Sequence, residues 1–112
     1  MDKNLLWWLL GVTKGGVWRA RIIDILRERP ANANQLANML NLNYTTVRYH
    51  LDMLVKHKLV KKMEKGGVTM YYLSDEMLKF YPEFIKICRK LGPEFTCKEI
   101  SIDERKEKKG GI

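Results

Sequence analysis

The chain has 112 residues, with 21 Lys and Arg against 13 Asp and Glu, a formal net charge of +8, two cysteines and two histidines. That length supports one small domain with elaborations and excludes a large buried active site. The charge favours anionic partners, nucleic acid ahead of an acidic membrane surface, while Cys88 and Cys97 are too few and too far apart for a disulfide framework or a C-x-x-C zinc site.

The run Leu5-Leu6-Trp7-Trp8-Leu9-Leu10 is far shorter than the roughly 20 residues of a membrane span, lacks a small-residue cleavage pattern and is soon interrupted by Gly11. Neither anchor nor signal peptide is expected, nor a membrane partner, and the cysteine usage points to a reducing, cytoplasmic setting. A domain this small cannot easily hide two adjacent tryptophans, and large paired aromatics mark interfaces. Residues 1–16 are therefore read as an apolar segment making a dimer contact through Leu6, Trp7, Trp8 and Leu10. A helix folded back onto its own domain is the competing arrangement.

After Gly15-Gly16, a helix from about Val17 to Arg29 buries Trp18, Ile22, Ile25 and Leu26, and Pro30 ends it. Asn32 or Asn34 can cap the next helix, which runs to Leu40 with Leu36, Ala37 and Leu40 on one side. In the turn Asn41-Leu42-Asn43, Asn41 tolerates a left-handed backbone and Asn43 can cap a helix beginning at Tyr44. There Val47, Leu51 and Leu54 fall within one narrow stripe. Nearly opposite lie Thr45, Tyr49, Asp52 and Lys56, with Thr46 and Arg48 on the flanks; Tyr44 turns more toward the domain. A helix dry on one side and able to hydrogen-bond on the other is the pattern of a DNA-reading helix-turn-helix. His50, at the edge of the stripe, reads as a hydrogen-bonded core residue rather than a metal ligand, because no second ligand sits at helical spacing.

Beyond Lys58 the period becomes extended. Leu59 to Lys65, then Gly66-Gly67, then Val68 to Leu73 reads as a hairpin. Residues 56–65 hold five lysines against Glu64. Solvated edge strands also carry lysine to prevent aggregation, but a position beside the outward-facing helix favours phosphate contact by Lys61, Lys62, Lys65, Gly66, Gly67 and Thr69. Ser74 or Asp75 caps a last helix in which Met77, Tyr81, Phe84, Cys88 and Leu91 recur at heptad-like spacing. Its apolar surface exceeds one seam and needs a second neighbour. Residues 76–92 are read as a dimerisation helix using Phe80, Tyr81, Phe84, Cys88 and Leu91, either kinked at Pro82 or broken at Tyr81 so that Pro82 opens a fresh helix. Residues 93–112 are read as a flexible charged tail. No nucleophile with a base, phosphate loop or carboxylate pair supports catalysis, and no cofactor or metal is expected.

The segment 44–54, continued by Lys58-Leu59-Val60, resembles winged-helix transcription regulators of the ArsR type, especially archaeal ones, which carry a Val-x-x-His-Leu-x-x-Leu core followed by Gly-Leu-Val. Lys58 stands where that pattern has Gly. The resemblance covers residues 17–75 and implies a mainly α fold with a small β-hairpin, a winged helix-turn-helix with additional terminal helices. It further implies a recognition helix from Tyr44 to Lys56 with Thr45, Thr46, Arg48 and Tyr49 nearest the DNA, a wing from Lys61 to Val68, and dimerisation through terminal helices. The cysteine-based metal site some members carry on the recognition helix is absent, since residues 36–58 hold no cysteine. The expected function is a homodimeric regulator on near-palindromic double-stranded DNA, with Arg19, Arg21 or Arg48 assisting the wing lysines on phosphates. A winged-helix adaptor that binds protein, or an RNA-binding module, are the alternatives.

Overall fold

The computed structural model describes residues 2–13 and 15–91. In chain order these form α1 (Lys3–Trp7), a π-helical turn (Trp8–Val12), α2 (Gly16–Glu28), α3 (Ala33–Leu40), α4 (Tyr44–Lys56), β1 (Val60–Lys65), β2 (Val68–Leu73), α5 (Asp75–Lys79) and α6 (Tyr81–Leu91). The proposed tail and Cys97 lie outside the described residues. Within them, no helix is long and apolar enough to cross a membrane, and no group of three or more His, Cys, Asp and Glu side chains could hold a metal.

Local chemistry sets most element ends. Asn32, not Asn34, caps α3 in a reciprocal box: its side chain accepts from the Gln35 N–H, and Gln35 Oε1 accepts from the Asn32 N–H. Asn41 closes α3 in the left-handed conformation at φ 56°, and Asn43 Oδ1 accepts from the Thr46 N–H at 2.9 Å to open α4. Ser74 caps α5 through the Met77 N–H. The last helix is broken, with α6 starting at Tyr81, so Pro82 sits in a first turn where its missing N–H costs no hydrogen bond.

The hairpin is antiparallel, with Val60 opposite Leu73, Lys62 opposite Tyr71, Glu64 opposite Thr69 and Lys65 opposite Val68. Gly66 and Gly67, at φ 61° and 80°, supply the two positive values a tight hairpin turn requires. A backbone bridge pins this wing to the rest of the domain: the Tyr71 N–H donates to the Ala31 carbonyl at 2.8 Å, and the Ala31 N–H returns to Tyr71 at 3.2 Å. At its base, Lys58 takes φ 66°, so the bend made by Gly in similar sequences is made here by a lysine in the left-handed region. Ser74 Oγ donates to the Lys58 carbonyl at 2.8 Å and holds that bend.

One core runs through every helix and both strands. Leu6, Leu9 and Leu10 have no exposed surface and belong to it, each contributing roughly 2 kcal/mol by burial. This corrects the dimer reading for Leu6 and Leu10, and equally for Tyr81, Phe84 and Cys88, all buried within the single chain. Their apolar surface is already covered, so none can serve as a contact residue. Trp7, Trp8, Phe80 and Leu91 keep accessible surface. Trp7 is anchored, its Nε1 donating to Glu83 Oε2 of α6 at 2.7 Å; that bond holds the Glu83 carboxyl below its usual range. In α2 the buried stripe is Arg19, Ala20, Ile22, Ile23 and Leu26, while Trp18 and Ile25, expected inside, are half-buried. Arg19 enters the core because three acceptors await it there.

Candidate nucleic-acid interface

α4 is held from behind and free in front. Val47, Leu51 and Leu54 are fully buried, whereas Thr45, Tyr49, Asp52 and Lys56 are exposed and Thr46 and Arg48 intermediate. Tyr49 is 58% exposed, a large fraction for an aromatic side chain with no partner chain in place. Tyr44 does not pack inward as expected; it is exposed, and its hydroxyl accepts from Arg48 Nη1 at 3.1 Å. The guanidinium sits 5.9 Å from the Tyr44 ring centroid, and its Nη2 lies 3.7 Å from Asp52 Oδ1. Tyr44, Arg48 and Asp52 thus share one face at spacings of four. The Tyr44 hydroxyl bond, then the fields of Tyr71 and Asp52, raise the Arg48 pKa further.

The wing stands beside this face. A cleft of about 260 Å³ opens between them, lined by Asn32, Asn34, Tyr44, Arg48, Gly67, Thr69 and Tyr71 among others. Tyr71 and Thr69 reach it from β2, so the face they share with Lys62 and Glu64 is the one turned toward α4. Lys61 and Lys65 project from the opposite face with Tyr72 and Val68. All three lysines and both turn glycines are exposed. Thr69 Oγ1 donates to Glu64 Oε2 at 3.2 Å, placing one acidic group inside an otherwise cationic surface.

Asn32 and Asn34 were not anticipated at this site. Their bid to cap α3 was visible in sequence, but their meeting with the wing tip depends on the Ala31 to Tyr71 bridge, which no local pattern announces. Arg19 departs furthest from expectation. At 2% exposure it cannot meet a phosphate: Nε donates to the Leu9 carbonyl at 3.0 Å, Nη1 to His50 Nδ1 at 3.2 Å, and Nη2 to Thr13 Oγ1. Arg21 is half-buried, with its guanidinium 5.7 Å from the Trp18 ring centroid. His50 is buried and hydrogen-bonded, as its place on the edge of the stripe suggested.

A helix-turn-helix with an appended two-stranded wing and a cationic, polar front defines the winged-helix class. Residues 18–62 match the family model for bacterial regulatory proteins of the arsR family. The chain is also 40% identical over 60 residues to the uncharacterized HTH-type transcriptional regulator MJ1398 of Methanocaldococcus jannaschii, an alignment spanning 54% of this chain and 15% of that relative. Among solved structures, the transcriptional regulator HlyU of Vibrio vulnificus superposes with a TM-score of 0.60 at 19% identity, covering 75% of this chain and 84% of HlyU. ZitR of Lactococcus lactis, solved in complex with DNA, gives 0.57 at 18% identity over 70% of this chain and 56% of ZitR. These superpositions show that the fold is shared.

Proposed function

We propose that this chain is a sequence-specific double-stranded DNA-binding transcriptional regulator that acts as a homodimer in the cytoplasm. The observation carrying this reading is that Thr45, Arg48 and Tyr49 stand outside a helix whose opposite stripe, Val47, Leu51 and Leu54, is fully buried. Such a helix can enter a major groove without losing its own packing. Arg48 would read a base edge, Thr45, Thr46 and Tyr49 would contact bases or phosphates, and Lys56 with the lysines and glycines of the wing would follow the backbone. The cleft of about 260 Å³ between Arg48 and Thr69 would receive part of the sugar-phosphate backbone. Support comes also from the ArsR-family match and from the DNA complex of the structurally similar ZitR.

For the second copy, α1 and the turn after it offer an outward stripe. Trp8 and Val12, four residues apart, stand outside the stripe of Leu6, Leu9 and Leu10; Trp8 is 48% and Val12 72% exposed. Trp8 and Val12, with the accessible parts of Trp7, Phe80 and Leu91, would supply the contact in place of the buried Leu6, Leu10, Tyr81, Phe84 and Cys88. Two-fold pairing would set two copies of α4 about 34 Å apart on near-palindromic DNA.

Selection from a random duplex library, followed by gel-shift competition against single strands and RNA hairpins, tests the reading. Expected is a symmetric motif bound as duplex, with affinity falling about 10³ to 10⁵-fold between 50 and 200 mM salt if six to ten phosphates are engaged. Preference for RNA, or binding without sequence preference, would overturn it. Replacing Trp8 by Glu should halve the mass measured by light scattering; an unchanged mass moves the interface away from that stripe.

A further inference from the structure

A buried polar cluster lies behind the reading helix. In the π-helical turn the Thr13 N–H goes to the Trp8 carbonyl at 3.1 Å rather than to Leu9. The Leu9 carbonyl accepts instead from Thr13 Oγ1 and Arg19 Nε, each at 3.0 Å. Arg19 then reaches across α2 to His50 of α4. Gly15 at φ 88° comes so close to the same edge of the imidazole that a Cβ there would lie 2.9 Å from His50 Cε1 and 3.7 Å from Arg19 Nη1. Tyr49, next in sequence and exposed on the reading face, stacks edge-on to the same ring at 5.3 Å.

Arginine can only donate, so His50 Nδ1 must present its lone pair and carry its proton on Nε2. We propose that Arg19 is a positioning residue that fixes the reading helix to the N-terminal turn through unprotonated His50, so that protonation of His50 parts the two and weakens DNA binding. The second half rests on the DNA-binding reading above. A proton added to this ring goes to Nδ1 and sets two cations face to face at a distance now spanned by a hydrogen bond. Among the described residues, Arg19 is the charged group whose field acts on the ring. α3 contains no charged residue, β1 buries only Val60 and holds its lysines and Glu64 in solvent, and the turn Trp8–Val12 is uncharged. On α2 the buried charged residue is Arg19, and on α4 itself the ring's neighbour is the Tyr49 phenol. Burial first, and Arg19 second, lower the His50 pKa from its ordinary value. The cluster is therefore intact at neutral pH. Its contribution is complete above the unfolded value of about 6.5 and is lost as pH falls through the lower folded value.

The test uses the full chain at two pH values, about 7.5 and about 5.5. Melting without DNA should drop by about 4–8 °C on acidification, the size expected for one modest contact in a small domain. Affinity for the selected duplex should fall about three- to tenfold, against the general trend that acid adds positive charge and strengthens DNA binding. His50→Asn places a carbonyl oxygen where Nδ1 sits and has similar helix propensity. It should keep neutral-pH affinity and flatten both profiles, whereas Arg19→Met should flatten them at a lower level. Equal acid loss in wild type and His50→Asn, or no acid loss in wild type, overturns the proposal. A melting shift abolished by His50→Asn in a chain that binds no duplex at any pH would leave the Arg19 to His50 contact standing and remove the DNA-binding reading instead.

Discussion

Arg48 leans on Tyr44: the hydroxyl of Tyr44 takes a hydrogen bond from the guanidinium at 3.1 Å, one turn away on the exposed face of α4. An arginine so docked stands partly preorganised for a groove, because less side-chain freedom remains to be lost on contact. Its weak ion pair with Asp52, at 3.7 Å and with both side chains well exposed, contributes little to stability and can be exchanged for a base edge.

Arg48→Ala should therefore relax base preference at one position of each half-site. If the guanidinium grips a guanine, the loss of discrimination is about 1–3 kcal/mol. Tyr44→Phe, which keeps the ring and removes the acceptor, should show a smaller loss at the same position. Affinities measured against single-base variants of the selected duplex check both. Uniform weakening across all variants would make Arg48 a phosphate contact.

The wing lysines should behave differently. Lys62 shares the α4-facing side of the hairpin with Thr69 and Tyr71, whereas Lys61 and Lys65 point away. Lys62→Ala is expected to lower affinity for every duplex alike and to reduce the slope of log affinity against log salt by about 1, with Lys61→Ala weaker in effect. Glu64→Gln should act in reverse, strengthening binding at low salt with the gain fading as salt rises, since its carboxylate lies among those lysines. Binding isotherms between 50 and 200 mM salt decide this.

Those parts of fold and interface governed by near neighbours were readable in the sequence. Asn43 caps α4 because its side chain reaches only three residues on, and Gly66-Gly67 makes the hairpin because the two positive φ values are local; Pro82 leaves a kink and a break equally open, and the structure has the break, with α6 starting at Tyr81. The stripe of Val47, Leu51 and Leu54 and the exposure of Thr45 and Tyr49 follow from helical period alone. The N-terminal leucines did not yield to that logic. In the uninterrupted apolar run from Leu5 to Leu10, period cannot separate an inward stripe from an outward one, so Leu6 and Leu10 looked available to a partner. Arg19 was opaque for a deeper reason. Its burial depends on the π-helical turn leaving the Leu9 carbonyl accessible, and on His50 arriving from a helix 31 residues later. Electrostatic bookkeeping on the sequence assigns such an arginine to solvent.

The N-terminal segment is tied to α2 by backbone as well as by side chains. A Cβ on Gly16 would lie 2.2 Å from the Leu10 carbonyl oxygen, closer than any relaxed contact permits. Gly16→Ala forces the segment to shift against α2, at a cost of about 1–3 kcal/mol for local overpacking, and more if it detaches and uncovers Leu6, Leu9 and Leu10. Chemical denaturation should show the lower midpoint, and tryptophan fluorescence should report loss of the Trp7 to Glu83 bond. An unchanged midpoint would mean that the segment adjusts without leaving.

Lys58 carries a strain that the wing can do without. Its φ of 66° places Cβ against the backbone, and a non-glycine residue there costs roughly 1–2 kcal/mol. The side chain is exposed and the structure gives the conformation its support through Ser74 Oγ on the Lys58 carbonyl, a bond that any residue at 58 would keep. Lys58→Gly removes the steric cost but frees the unfolded chain, which returns about 0.5–1 kcal/mol. The expected balance is a gain of about 0.5–1 kcal/mol, seen as a higher melting temperature, together with slightly weaker DNA binding from the lost charge. Lys58→Val, β-branched at positive φ, should move stability in the opposite direction. If glycine destabilises the protein instead, the stem of Lys58 packs usefully on its neighbours and the bend is not strained.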